Sequence, residues 1–170
     1  HGDTTAYGLM EAQIPGSPEL CDRVVQAAEQ AGFEYLLIPV GSTCWEAWIS
    51  GAFMAARSSH IKPLIAARPG YIHPVLLAKM FSTFDQMSGG RICINLIASQ
   101  NESEVEGEGV RYPKEERYAL MEEEVSIIKG IAQVAGREAD LRIFALPAWN
   151  QPNLPSHTYN MVWVEPRTPD

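Results

Sequence analysis

Cys44 follows a Ser42-Thr43 pair and precedes Trp45, with Trp48 one helical turn further on. A thiol there can act as a thiolate nucleophile or as a weak donor beside a reacting group. No histidine neighbours it in sequence to serve as its base, which favours a supporting role over covalent attack. The bland reading of a lone cysteine is a small packing residue. Asn95 is the second candidate, a lone amide in the apolar run Arg91 to Ile97 (RICINLI). A buried amide needs partners, so Asn95 either pairs within the fold or faces a ligand. His1 is a third: an imidazole titrates near neutral pH and can donate to a substrate or a developing oxyanion. By itself, a terminal histidine reads as a chain end.

Glu104 and the Arg117-Tyr118 pair carry charge and a phenol into the second half of the chain. Glu104 belongs to the acidic run Glu102 to Glu108, which reads as a solvated loop, and Arg117 has Glu115, Glu116 and Glu122 to Glu124 close by as ion-pair partners. Arg68 is open to either use, lining a pocket or balancing an acid. His60, His73 and His157 read as loop residues. Neither the four histidines nor Cys21, Cys44 and Cys93 have metal-ligand spacing, so no metal is expected.

These groups need elements to hold them. Ser17-Pro18 predicts a helix start, serine as cap and proline at the first helical position, and Gly32 a stop. Tyr35 to Val40 predicts a buried strand, Trp45 to Arg57 a helix and Leu64 to Ala67 a second strand. A helix beginning beyond His73-Pro74 should end at Ser88-Gly89-Gly90, with a third strand over Arg91 to Ile97. Helix returns from Glu115 to about Ile131, and Leu141 to Leu146 predicts one more strand; from about residue 147 the proline-rich sequence predicts turns and extended coil. Apolar strands alternating with helices imply a parallel sheet. That rhythm fits an open sheet or a barrel equally, although the first loop lacks a glycine-rich phosphate fingerprint.

The chain has 170 residues, a net charge of -8 and three cysteines. The acidic balance argues against nucleic-acid binding, since phosphates need a basic surplus. No apolar run is long enough for a membrane span and no secretory leader is visible. The three widely spaced cysteines form no disulfide framework, which makes a reducing, cytoplasmic setting the default expectation.

Several segments, taken in order, resemble one family. They are His1-Gly2-Asp3-Thr4 with Tyr7-Gly8, Leu37-Ile38-Pro39, Ser42 to Trp48 (STCWEAW), Ala67-Arg68-Pro69, Phe84 to Arg91 (FDQMSGGR), Asn95-Leu96-Ile97 and Glu116-Arg117-Tyr118. Together these resemble the bacterial luciferase-like flavin-dependent monooxygenases, particularly the alkanesulfonate monooxygenases. The resemblance spans about residues 1 to 130, and residues 131 to 170 depart from it.

The resemblance implies an α/β fold, a partial TIM-type (β/α)8 barrel corresponding to the N-terminal half, with its first strand lying before His1. It implies reduced FMN (FMNH2) as cofactor, molecular oxygen as cosubstrate and a separate flavin reductase as partner. The implied reaction oxygenates an alkanesulfonate and cleaves its carbon–sulfur bond, giving an aldehyde and sulfite. His1 and Cys44 become the implied catalytic residues, and Ile38, Pro39, Asn95, Glu104, Arg117 and Tyr118 the implied flavin-binding ones. A homo-oligomer, or pairing with the missing barrel half, is expected. The alternatives are a related monooxygenase acting on a pyrimidine, sulfone, amine or aldehyde, a deazaflavin-dependent oxidoreductase, or a non-catalytic barrel fragment.

Overall fold

The Ser17 hydroxyl accepts the Leu20 N–H at 3.1 Å and Pro18 occupies the first turn, so helix α1 (Pro18–Gln30) starts where its capping signal stands. The structure is a computed structural model that describes residues 16–41, 44–98, 102–134, 141–147 and 159–166. His1, Ser42 and Thr43 lie outside the described residues, as does the Glu104 side chain.

Strands β1 (Tyr35–Ile38), β2 (Lys62–Ala67) and β3 (Cys93–Ile97) alternate with helices α2 (Ala47–Ala55) and α3 (Pro74–Ser88). Gly89 ends α3 in the left-handed conformation, φ 69°, which only a residue without Cβ adopts cheaply. The three strands are parallel and in register, so Ile38, Ile65 and Ile94 form one row across the sheet. That row joins Val25 of α1, Trp48 of α2 and Leu77 of α3 in a single core. Each fully buried aliphatic side chain there contributes about 1.5–3 kcal/mol.

Successive strand residues face opposite sides of a sheet. Leu64, Ala66, Cys93 and Asn95 therefore occupy the face away from that core, all buried. Helices gathered on one face of a parallel sheet decide between the two architectures that the sequence leaves open. An open doubly wound sheet is covered by helices on both faces, whereas a (β/α) barrel keeps them outside and turns the other face inward. The fold is α/β, with a parallel three-stranded sheet in a partial, unclosed barrel arrangement.

Three expectations need correction. The acidic stretch expected as a loop contains a short helix, α4 (Glu102–Gly107), anchored by the fully buried Val105. The coil expected beyond residue 147 contains strand β5 (Tyr159–Pro166), whose Tyr, Val and Trp content suits a strand despite the surrounding prolines. The strand expected near Leu141 is present as β4 (Leu141–Pro147), but it does not extend the parallel sheet. It forms an antiparallel pair with β5, and β5 lies antiparallel to β3, giving the order β1-β2-β3-β5-β4. Helix α5 (Lys114–Val134) precedes this pair and packs against α3.

Candidate functional site

The carboxyl ends of β1 and β2 and the end of α4 surround an open cleft of about 370 Å³. Val40, Gly41, Cys44, Trp45, Tyr71 and Glu108 line it. Parallel strands expose the same end of every strand to one rim, so side chains far apart in sequence meet there.

Cys44 reaches the cleft because its backbone N–H closes a turn onto the Gly41 carbonyl at 2.9 Å. Its sulfur is half-buried and not in a disulfide. Glu46 is committed to capping α2, where its Oε1 accepts from Trp48 N at 3.0 Å and its Oε2 from Ile49 N at 2.7 Å. Arg68 leaves the end of β2 buried and forms an ion pair with Glu108 on the cleft wall. Two such charges leave water at a cost that their attraction must offset, so the pair fixes the wall more than it stabilises the fold.

Asn95 lies on the inward face of β3, in register with Ala66 of β2 and Trp163 of β5. It is 2% exposed, and its Oδ1 has no hydrogen-bond partner among the described residues. Leaving such an acceptor unsatisfied costs about 1–3 kcal/mol, a cost usually met only where a ligand or an ordered water completes the pairing.

Arg117 is committed to the protein. Its Nε donates to the Ala98 carbonyl at 2.9 Å, its Nη1 to the Tyr112 carbonyl at 2.8 Å, and its fork grips both Glu102 oxygens at 3.1 Å. The Arg117 hydrogen bond, and then its charge, hold the Glu102 carboxyl below the ordinary range. Arg117 thus ties α5 to the residue after β3. Tyr118 and Ile38 are buried in the core between sheet and helices, leaving Ile38 only its backbone to offer on the rim, and Pro39 is half-buried beside it.

Among the described residues that sequence reasoning singles out, Cys44 stands in the cleft wall and Asn95 faces inward without lining it; His1 and the Glu104 side chain lie outside the described residues. Sequence reasoning misses Tyr71 and Glu108, the first in a proline-glycine turn and the second in an acidic run. It misses Glu124 too, although that residue is buried on α5. Desolvation pushes its carboxyl from 4.5 up to about 7, the Gly70 N–H opposes the shift, and Glu123 adds to it. Among the described residues no helix is long and apolar enough to cross a membrane, and no three His, Cys, Asp or Glu side chains are grouped to hold a metal ion.

A parallel sheet with helices on one face, an inward-facing amide and a thiol-bearing cleft at the carboxyl rim are the arrangement of a partial (β/α) barrel, and that rim is where such an architecture would carry a site. The luciferase-like monooxygenase family model matches residues 8–158, and the chain belongs to that family. Solved structures share the fold. The long-chain alkane monooxygenase LadA is 21% identical, with a TM-score of 0.59 over 66% of this chain and 31% of its own. The EDTA monooxygenase EmoA from Chelativorans sp. BNC1 is 16% identical, with a TM-score of 0.61 over 85% of this chain and 36% of its own. The oxygenating constituent of 3,6-diketocamphane monooxygenase from Pseudomonas putida, solved in complex with FMN, is 20% identical, with a TM-score of 0.56 over 67% and 34%. The chain spans about a third of the length of these structures.

Proposed function

We propose that the intact protein is a monooxygenase dependent on reduced FMN, supplied by a separate flavin reductase, with molecular oxygen as cosubstrate. The observation that carries this reading is the buried Oδ1 of Asn95 on the inward face of β3, which has no hydrogen-bond partner among the described residues. The pyrimidine edge of a flavin offers an N–H to such an acceptor, and the buried amide oxygen therefore fits the cofactor. Bound there, the reduced flavin supplies the electrons that activate oxygen. The chain's own part is to orient the ring through Asn95, to restrict water at the rim, and to present the Cys44 thiol to a substrate in the cleft. His1 would add a hydrogen-bond donor, and Glu104 and Pro39 contacts beside the ring.

The finer reading is an alkanesulfonate substrate cleaved to aldehyde and sulfite, supported by the His1-Gly2-Asp3 and Ser42-Thr43-Cys44 motifs. One observation favours a second: the Arg68 guanidinium beside the cleft is neutralised by Glu108, which suits an uncharged substrate such as a sulfone or aldehyde. Reductase-coupled assays that measure sulfite release against oxidation of neutral substrates separate the two.

Asn95→Leu tests the cofactor site directly. Replacing a buried, unsatisfied amide by an apolar side chain of similar size is expected to raise the stability of the flavin-free protein by about 1 kcal/mol. The same change should weaken FMNH2 binding at least tenfold, measured by anaerobic titration. Unchanged affinity would remove Asn95 from the flavin site, and preferential binding of a deazaflavin would redirect the whole assignment.

A further inference from the structure

Glu122, Glu123 and Glu124 read as one solvated face, yet Glu124 is 1% exposed. Its Oε1 accepts the Gly70 N–H at 2.8 Å, and its Oε2 is buried without a hydrogen-bond partner among the described residues. The turn it holds has little slack. Gly70 has φ +77°, and a Cβ there would stand 2.9 Å from the Tyr112 ring and 3.1 Å from Leu120. On one side of Gly70, Tyr71 lines the cleft; on the other, Arg68 pairs with Glu108 of the same wall. A single carboxyl on α5 therefore restrains the segment that carries both.

We propose that Glu124 is a proton-operated clasp on the turn between β2 and α3: protonated, it fixes Gly70 and the cleft wall, and ionised, it lets the turn loosen. The carboxyl is buried and its Oε2 has no partner among the described residues, so its anion is poorly accommodated while the turn is closed. Among the described side chains, the turn carries the charged or titratable Arg68, Tyr71 and His73, α3 carries Lys79 and Asp85, and the approach to α5 carries Arg111 and Tyr112. Arg68 is engaged by Glu108, Lys79 is exposed, and Glu123 on the same helix pushes further toward the protonated form.

The closed carboxyl titrates at about 7 and a hydrated one near 4.5. Opening thus releases a proton between those values. The clasp is fully effective below 4.5, weakens as pH rises, and weakens no further above about 7. Amide hydrogen exchange at Gly70 and Tyr71, corrected for intrinsic rates, reads this directly. Opening should increase on the order of a hundredfold across that window and then level off. Glu124→Gln keeps a carbonyl for the Gly70 N–H but cannot ionise, and should give a flat profile. A flat wild-type profile, or the same rise in Glu124→Gln, overturns the proposal. Should the variant fail to fold, the Gly70 amide nitrogen shift of the wild-type protein decides: a midpoint near 7 sustains the clasp, and a midpoint near 4.5 or no titration removes it. Neither readout uses flavin or substrate, so the result stands apart from the monooxygenase reading.

Discussion

Cys44 and Arg117 show how differently two sequence candidates are placed. The cysteine owes its position to a backbone turn and contributes little packing, being half-buried at the cleft. Cys44→Ala is therefore expected to change stability by less than about 1 kcal/mol. Turnover or substrate saturation should shift severalfold in a reductase-coupled assay run beside a melting curve. Normal kinetics would return Cys44 to a packing role. Arg117 stands out in sequence for its charge and its place beside a tyrosine, and neither property reveals that it grips the end of β3. Glu124 is hidden for the converse reason. In the run Glu122 to Glu124 no residue type distinguishes the inward-facing position, and only the helical phase set by Tyr118, Met121 and Ile128 does so.

Between elements, one carboxylate can gather several donors from a distant turn. Glu29 near the end of α1 accepts from Ser58 Oγ at 2.7 Å, Ser59 N at 2.6 Å and His60 N at 3.1 Å, fastening α1 to the turn before β2. The Ser58 hydroxyl and then the His60 N–H lead in lowering its carboxyl to about 2. A depressed carboxylate contributes stability above its ordinary value of 4.5 and loses it as pH falls toward 2. The urea midpoint of wild type should therefore exceed that of Glu29→Gln at neutral pH, with the gap closing between 4.5 and 2. A constant gap would assign the effect to packing instead. None of this is legible in Ser58-Ser59-His60, because the partner lies 29 residues away in sequence. The capping signal at Ser17-Pro18 and the Gly89 stop are legible, since each acts on its own helix. Strand direction is not: an apolar run such as β4 carries no mark of whether its neighbour is parallel.

At the scale of the molecule, β1 and β4 are the outermost strands, and Leu37 on β1 is 57% exposed. The cleft is walled by residues that follow β1 and β2 and by the end of α4, in a chain that spans about a third of the length of the solved structures it resembles. Substrate-dependent oxygenation by the 170-residue chain alone is accordingly expected to stay at background, with activity appearing in a longer protein that completes the barrel. Robust turnover by this chain alone would overturn that expectation. The β4–β5 pair has a further consequence, in time. The free side of β3 is met by β5, roughly sixty residues later in the chain. At about 5–20 residues per second of synthesis, that edge stays open for roughly 3–12 s after β3 emerges. Only in the later part of that interval is α5 complete, and it shields the face of the sheet but not its hydrogen-bonding rim, so the nascent chain passes through a window in which another strand competes for the place of β5.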